Sequence, residues 1–436
     1  MTMANAFTAD HFNRLGEAEQ ALIRRRERVL GPAYRLFYEE PLHFVRGEGV
    51  WLYDAQGRGY LDAYNNVASI GHGNAHVLQA MARQAETLNT HTRYLSETIL
   101  AYAERLVGTL PEALSQVMFT CTGSEANDLA LRIARVHTGG DGVIVTTHAY
   151  HGVTSAVSAF SPSLGEGVDL GPTVRLVAPP PPSLTVEAAG AAFAANVDAA
   201  VRDLKRHGIQ PAMLIVDTIF SSDGVIADPP GFLAPAVEVI RAAGGLFVAD
   251  EVQPGFGRTG EAMWGFQRHG IVPDMVTVGK PMGNGFPMGG LMARPEVLER
   301  FGRQSRYFNT FGGNPVAGAV GMAVLDVLED QGLIGNSRDV GAYLRAGIIA
   351  LGEEADGLLG DVRGAGLFIG ADILDDGIPS PAAATRIVNG MRARGVLISA
   401  SGAHANVLKI RPPLIFTKAN ADQLIDALRQ ELVSQP

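Results

Sequence analysis

Residues 273–289 read PDMVTVGKPMGNGFPMG. Met275–Val278 is an apolar, strand-like run that ends in a lysine, a proline and a string of glycines. Lysine is scarce: of 35 basic residues only Lys205, Lys280, Lys409 and Lys418 are lysine. Lys205, in VRDLKRHG, reads as a solvated helix end, and Lys418, in FTKANADQL, as the solvated start of a last helix. Lys409 alternates with apolar residues in NVLKIRP, the pattern of an exposed strand face. Only Lys280 closes a fully apolar strand among glycines, so it is the candidate for amine chemistry.

Outward from this strand, short apolar runs alternate with helical segments from about residue 115 to 295. The runs are QVMFTC, GVIVTT, VRLVAP, PAMLIVD, GLFVADEV and DMVTVGK. Continuous apolar strands between helices indicate an α/β fold whose mostly parallel sheet is buried on both faces. Ligands of such sheets sit beyond the carboxyl ends of the strands. The residues there are polar: Thr122-Gly123-Ser124, His148–His151, Asp217–Phe220, Asp250–Gln253 and Lys280.

The bulk properties narrow the function. With 47% hydrophobic and 18% charged residues over 436 positions, the chain can bury a large core. A net charge of −10 argues against nucleic acid as a partner. Cys121 is the sole cysteine, which excludes an intramolecular disulfide and suggests a reducing, cytoplasmic setting. The first thirty residues carry no apolar core of a signal peptide. No membrane span is expected. Residues 49–64 read as a hairpin, and a long apolar helix is expected after Tyr307–Asn314, running to about Glu329. Three units follow: an N-terminal segment over 1–65, a large domain over 66–329, and a smaller α+β domain over 330–436.

The chemistry-bearing stretches leave two readings each. In TGSEAND (122–128) the helix start offers backbone N–H groups and the Ser124 hydroxyl to an anion; an ordinary Ser124 cap is the alternative. Asp250 follows a strand with no polar residue, where a carboxylate needs a cation or donor. With Lys280 it makes a plain salt bridge, or the two face a cofactor. A phosphate-binding P-loop is excluded, since position 274 is Asp and position 281 is Pro. The histidine pairs 72/76 and 148/151 lack further ligands, so no metal is expected.

Together, TGSEAND (122–128), HAYHG (148–152), ADEVQPGFGRTG (249–260), VGKPMGNG (278–285) and YFNTFGGNP (307–315) resemble the class III aminotransferases. These are pyridoxal-phosphate enzymes of fold type I. The resemblance implies a large domain around a mostly parallel seven-stranded sheet, and a smaller C-terminal domain. It further implies that Lys280 holds the cofactor as a Schiff base and that Asp250 pairs with the ring nitrogen. Tyr150 stacks on the ring, with His151 and Val252 beside it, and Gln253 lies near the ring hydroxyl. Gly123 and Ser124 hold the cofactor phosphate. Thr310 reaches that phosphate from the partner subunit, so a homodimer is implied.

The reaction implied is ping-pong transfer of an amino group from an amine or amino acid to a 2-oxo acid. Substrate-side candidates are Arg411, which either grips a carboxylate or makes an interdomain salt bridge, then Asp217 and, less strongly, Arg93 and Arg258. The stretches YNNVASIGHGN, THTRYLSETILAYAERL and NVLKIRPPL also resemble one branch that holds phospho-lyases. These use the same lysine and aspartate to eliminate phosphate from phosphorylated amines, and that is the alternative. Two departures bear on substrate: Asp217 stands where the family usually has Glu, and Ala75-His76 where a His-Pro pair is usual.

Overall fold

The computed structural model describes residues 5–181 and 184–433; residues 1–4 and 434–436 of the expected first and last units lie outside them. A seven-stranded sheet forms the centre. Its strands are β1 (Gln116–Thr120), β2 (Gly142–Thr146), β3 (Val174–Val177), β4 (Pro211–Asp217), β5 (Leu246–Asp250), β6 (Met275–Val278) and β7 (Gly289–Ala293), in the order β1-β7-β6-β5-β4-β2-β3. β7 runs antiparallel to both of its neighbours; the pairs among β2 to β6 are parallel. Six of these strands are the apolar runs of the sequence. β7 is GGLMA, without a β-branched residue, and only its neighbours make it a strand.

Helix α1 (Gly123–Thr138) shows how local chemistry fixes the site. Thr122 caps it, its hydroxyl accepting the Glu125 N–H at 3.1 Å. Ser124 is therefore free of that task. Gly139, with φ 70°, ends the helix in the left-handed region. Leu129, Ala130, Ile133 and Ala134 bury against Val143, Val145, Met213 and Val248 of the sheet. Burial of this stripe stabilises the helix by roughly 1.5–3 kcal/mol per large apolar side chain. It also aims the helix start at the ends of the strands.

The expected hairpin is present as Trp51–Asp54 paired antiparallel with Gly59–Asp62. Its second strand also takes Val396–Leu397 as a parallel neighbour. The expected apolar helix, α2, spans Pro315–Asp330, capped by Asn314. Beyond it, β8 (Leu359–Ala365), β9 (Phe368–Asp375), β10 (Ser399–Ser401) and β11 (Val407–Ile410) form an antiparallel sheet in the order β8-β9-β11-β10. No helix among the described residues is long and apolar enough to cross a membrane.

Candidate active site

The ends of β1, β4, β5 and β6 enclose a cavity of about 280 Å³. Gly123, Ser124, Tyr150, His151, Asp217, Asp250, Val252, Gln253 and Lys280 all line it. The structure thus gathers nine of the residues selected from sequence. Thr310 and Arg93 are exposed and lie outside this cavity. They neighbour each other in the fold, since the Arg93 guanidinium lies 3.8 Å from the ring centre of Phe308. Arg258 is buried elsewhere, donating to the carbonyls of Leu367 and Pro412.

Asp250 sits at the floor. Its Oδ2 accepts from His151 Nδ1 at 2.7 Å and from Asn127 Nδ2 at 2.9 Å, and its Oδ1 from the Val252 N–H at 3.1 Å. Asn127 also donates to the His151 carbonyl at 2.7 Å and accepts from the Thr277 hydroxyl at 2.6 Å. Three donors fix the position and orientation of the carboxylate. Asn127 and Thr277 escaped the sequence reading. Thr277 was the available signal, as the one hydroxyl in an otherwise apolar strand.

Lys280 follows β6 and opens a short turn of helix with Pro281 at its second position. Gly279 passes so close to α1 that a Cβ there would meet the Gly123 nitrogen at 3.0 Å. Gly152, with φ 141°, leaves no room either, since a Cβ would lie 2.5 Å from Ser124 Oγ. Backbone is thereby packed around the helix start, whose N–H groups face the cavity. Burial pushes the Lys280 amine down to about 8; the Arg411 charge acts in the same sense, and Asp250 and Asp217 oppose it. Its Nζ stands 5.9 Å from the centre of the Tyr150 ring.

These features fit pyridoxal phosphate. A flat ring would find Tyr150 and Val252 as walls, a fixed carboxylate for its nitrogen, an amine for its aldehyde and a helix start for its phosphate.

Two residues need correction. Lys409 is not on an exposed face: only 9% of it is accessible, because β11 packs beneath the turn that follows β4. Arg411 offers neither an open grip nor an ion pair. Its Nε donates to the Asn65 carbonyl at 2.7 Å, and Nη2 to the Tyr64 carbonyl at 3.2 Å and to Asn66 Oδ1 at 2.9 Å. Nη1 donates to Gln253 Oε1. Arg411 is 4% exposed and does not line the cavity.

Comparison with known proteins agrees with this geometry. Residues 37–432 match the family model of the class-III aminotransferases. Alanine–glyoxylate aminotransferase 2-like of Drosophila melanogaster is 38% identical, over 94% of this chain and 87% of that one. Ethanolamine-phosphate phospho-lyase homolog 1 of Caenorhabditis elegans is 35% identical, over 95% and 94%. Among solved structures, a phospholyase from Arthrobacter in complex with phosphoethanolamine superposes with a TM-score of 0.92. It is 43% identical, over 95% of this chain and all of that one. A transaminase from the marine bacterium Virgibacillus gives a TM-score of 0.83 and 25% identity, over 94% of each chain. The chain belongs to the class III aminotransferases and is a pyridoxal-phosphate-dependent enzyme of fold type I.

Proposed function

We propose that this enzyme eliminates phosphate and ammonia from a phosphorylated primary amine, as a homodimer with Lys280 as the cofactor-bearing lysine. The observation that carries this reading is the engagement of Arg411. Four of its five N–H groups are spent on Tyr64, Asn65, Asn66 and Gln253. Transfer to a 2-oxo acid needs a cation free to grip a carboxylate. Elimination from a phosphorylated amine needs no carboxylate site and no second substrate. The 43% identity to the Arthrobacter phospholyase, against 25% to the Virgibacillus transaminase, points the same way.

When bound, pyridoxal phosphate supplies an aldehyde that takes up the amine and a ring that withdraws electrons from the adjacent carbon. Gly123 and Ser124 would hold the cofactor phosphate through the helix start, and Tyr150 and Val252 would flank the ring. Asp250, fixed by His151 and Asn127, would keep the ring nitrogen protonated. Lys280, its amine pushed down to about 8 by burial, would take the proton from the carbon beside the nitrogen. Phosphate then leaves the next carbon, and one water completes the products: an aldehyde, ammonia and inorganic phosphate.

Transamination is the second reading, favoured by the 38% identity to the Drosophila relative. The two separate in one assay. Holoenzyme given phosphoethanolamine, with no 2-oxo acid present, should release phosphate and ammonia over many turnovers. The visible band of the cofactor should dip and return. A band that fades once and recovers only when a 2-oxo acid is added would establish amino transfer and defeat the proposal.

A further inference from the structure

Lys409 is a buried cation that neither the fold nor the steps above employ. Its ammonium makes one hydrogen bond, a long one of 3.4 Å to the Ser221 carbonyl, and faces the Phe368 ring at 5.3 Å. No carboxylate lies within 4 Å of it among the described residues. Two buried arginines are better served: Arg363 has Asp372 at 2.9 Å and Asp361 at 3.1 Å, and Arg411 has its four acceptors. A buried ammonium with most of its donors unused is expensive unless an anion meets it. Burial and the Arg411 charge both push the Lys409 amine down, and Asp217 opposes them.

The position is as informative as the lack of a partner. The Ser221 hydroxyl donates to Asp217 and accepts from Gln253 Nε2 at 2.6 Å. Asp217 and Gln253 line the cavity, so Lys409 stands directly behind that wall. This wall lies at the ends of β4 and β5. The helix start that suits the cofactor phosphate follows β1, and β7, β6 and β5 separate β1 from β4. The helix start and Lys409 therefore stand on different sides of the cavity.

We propose that Lys409 is the cation that recognises the substrate's phosphate, exchanging its weak bond to the Ser221 carbonyl for the phosphate dianion. The inference rests on the elimination reading and deepens it, making Lys409 the residue that selects phosphorylated amines.

The test compares wild-type holoenzyme with Lys409→Met and Lys409→Arg. Met keeps the length of the stem and removes the charge; Lys409→Gln serves the same purpose should the Met variant not fold. For the neutral variant, KM for phosphoethanolamine should rise at least tenfold, with kcat changed less than threefold. Competitive inhibition by inorganic phosphate should weaken by a similar factor. The visible spectrum should not move, and Lys409→Arg should recover most of the loss. If the wild type releases phosphate but the neutral variant keeps its KM and its phosphate inhibition, the assignment of Lys409 is wrong and the elimination reading stands. If the wild type only transfers nitrogen, the elimination reading falls and the assignment of Lys409 falls with it.

Discussion

Lys280 reaches the cavity as an amine that burial has made easy to deprotonate. The same burial makes it a liability for the cofactor-free chain. A shift from 10.5 to about 8 corresponds to roughly 3 kcal/mol between folded and unfolded chains. The sign follows from the direction. Below pH 8 the amine is charged in both states and the penalty is complete. Between pH 8 and 10.5 only the unfolded chain holds the proton, so stability gains as pH rises. Cofactor-free Lys280→Met should therefore be more stable than the cofactor-free wild type at pH 7. The gap should close as denaturant melts are repeated toward pH 10.5; a gap constant with pH would contradict the assignment. In the holoenzyme, Lys280→Ala should lose the covalently held chromophore and roughly 10³-fold or more of turnover. Retained turnover would exclude Lys280 as the cofactor lysine.

At the scale of elements, the site depends on α1 being tied to the sheet by Asn127. That side chain bonds Asp250 at the end of β5, Thr277 on β6 and the His151 carbonyl. Asn127→Leu keeps the volume and leaves several buried polar atoms without partners. Destabilisation of about 1–3 kcal/mol is expected, together with weaker cofactor retention on dialysis. An unchanged melting curve and cofactor content would show that Asn127 is dispensable. The sequence revealed what lies at strand ends, because a polar residue closing an apolar run stands out locally. Asp250 and Lys280 were legible for that reason. Lys409 was not: alternation in NVLKI marks a half-exposed strand, and the turn that covers its outer face comes from a segment nearly two hundred residues earlier. β7 was missed for a related reason, since glycine and methionine carry no strand signal of their own.

The whole molecule displays an apolar face that a monomer would be expected to cover. Leu95 is 99% exposed and Phe311 70%, and Tyr94 and Phe308 are exposed beside them. His91 packs edge-on to Phe308 at 5.5 Å, so residues 91–95 and the loop holding Thr310 form one surface. Sedimentation should give a dimer. If Thr310 serves the partner's site, heterodimers of Lys280→Ala with Thr310→Asp regain one working site each. If Thr310 serves its own chain, such mixtures stay inactive, which would refute the intersubunit role.

The hairpin strand Gly59–Asp62 has a neighbour, Val396–Leu397, that arrives more than three hundred residues later. On a ribosome adding about 5–20 residues per second, that edge waits roughly 20 to 60 s for its partner. Through synthesis it presents unpaired N–H and C=O groups that any other nascent strand could capture. The final forty residues thus act as a latch on the first seventy. Chains arrested before Val396 should gather in the insoluble fraction, even though the central sheet and the lysine at its heart are already complete.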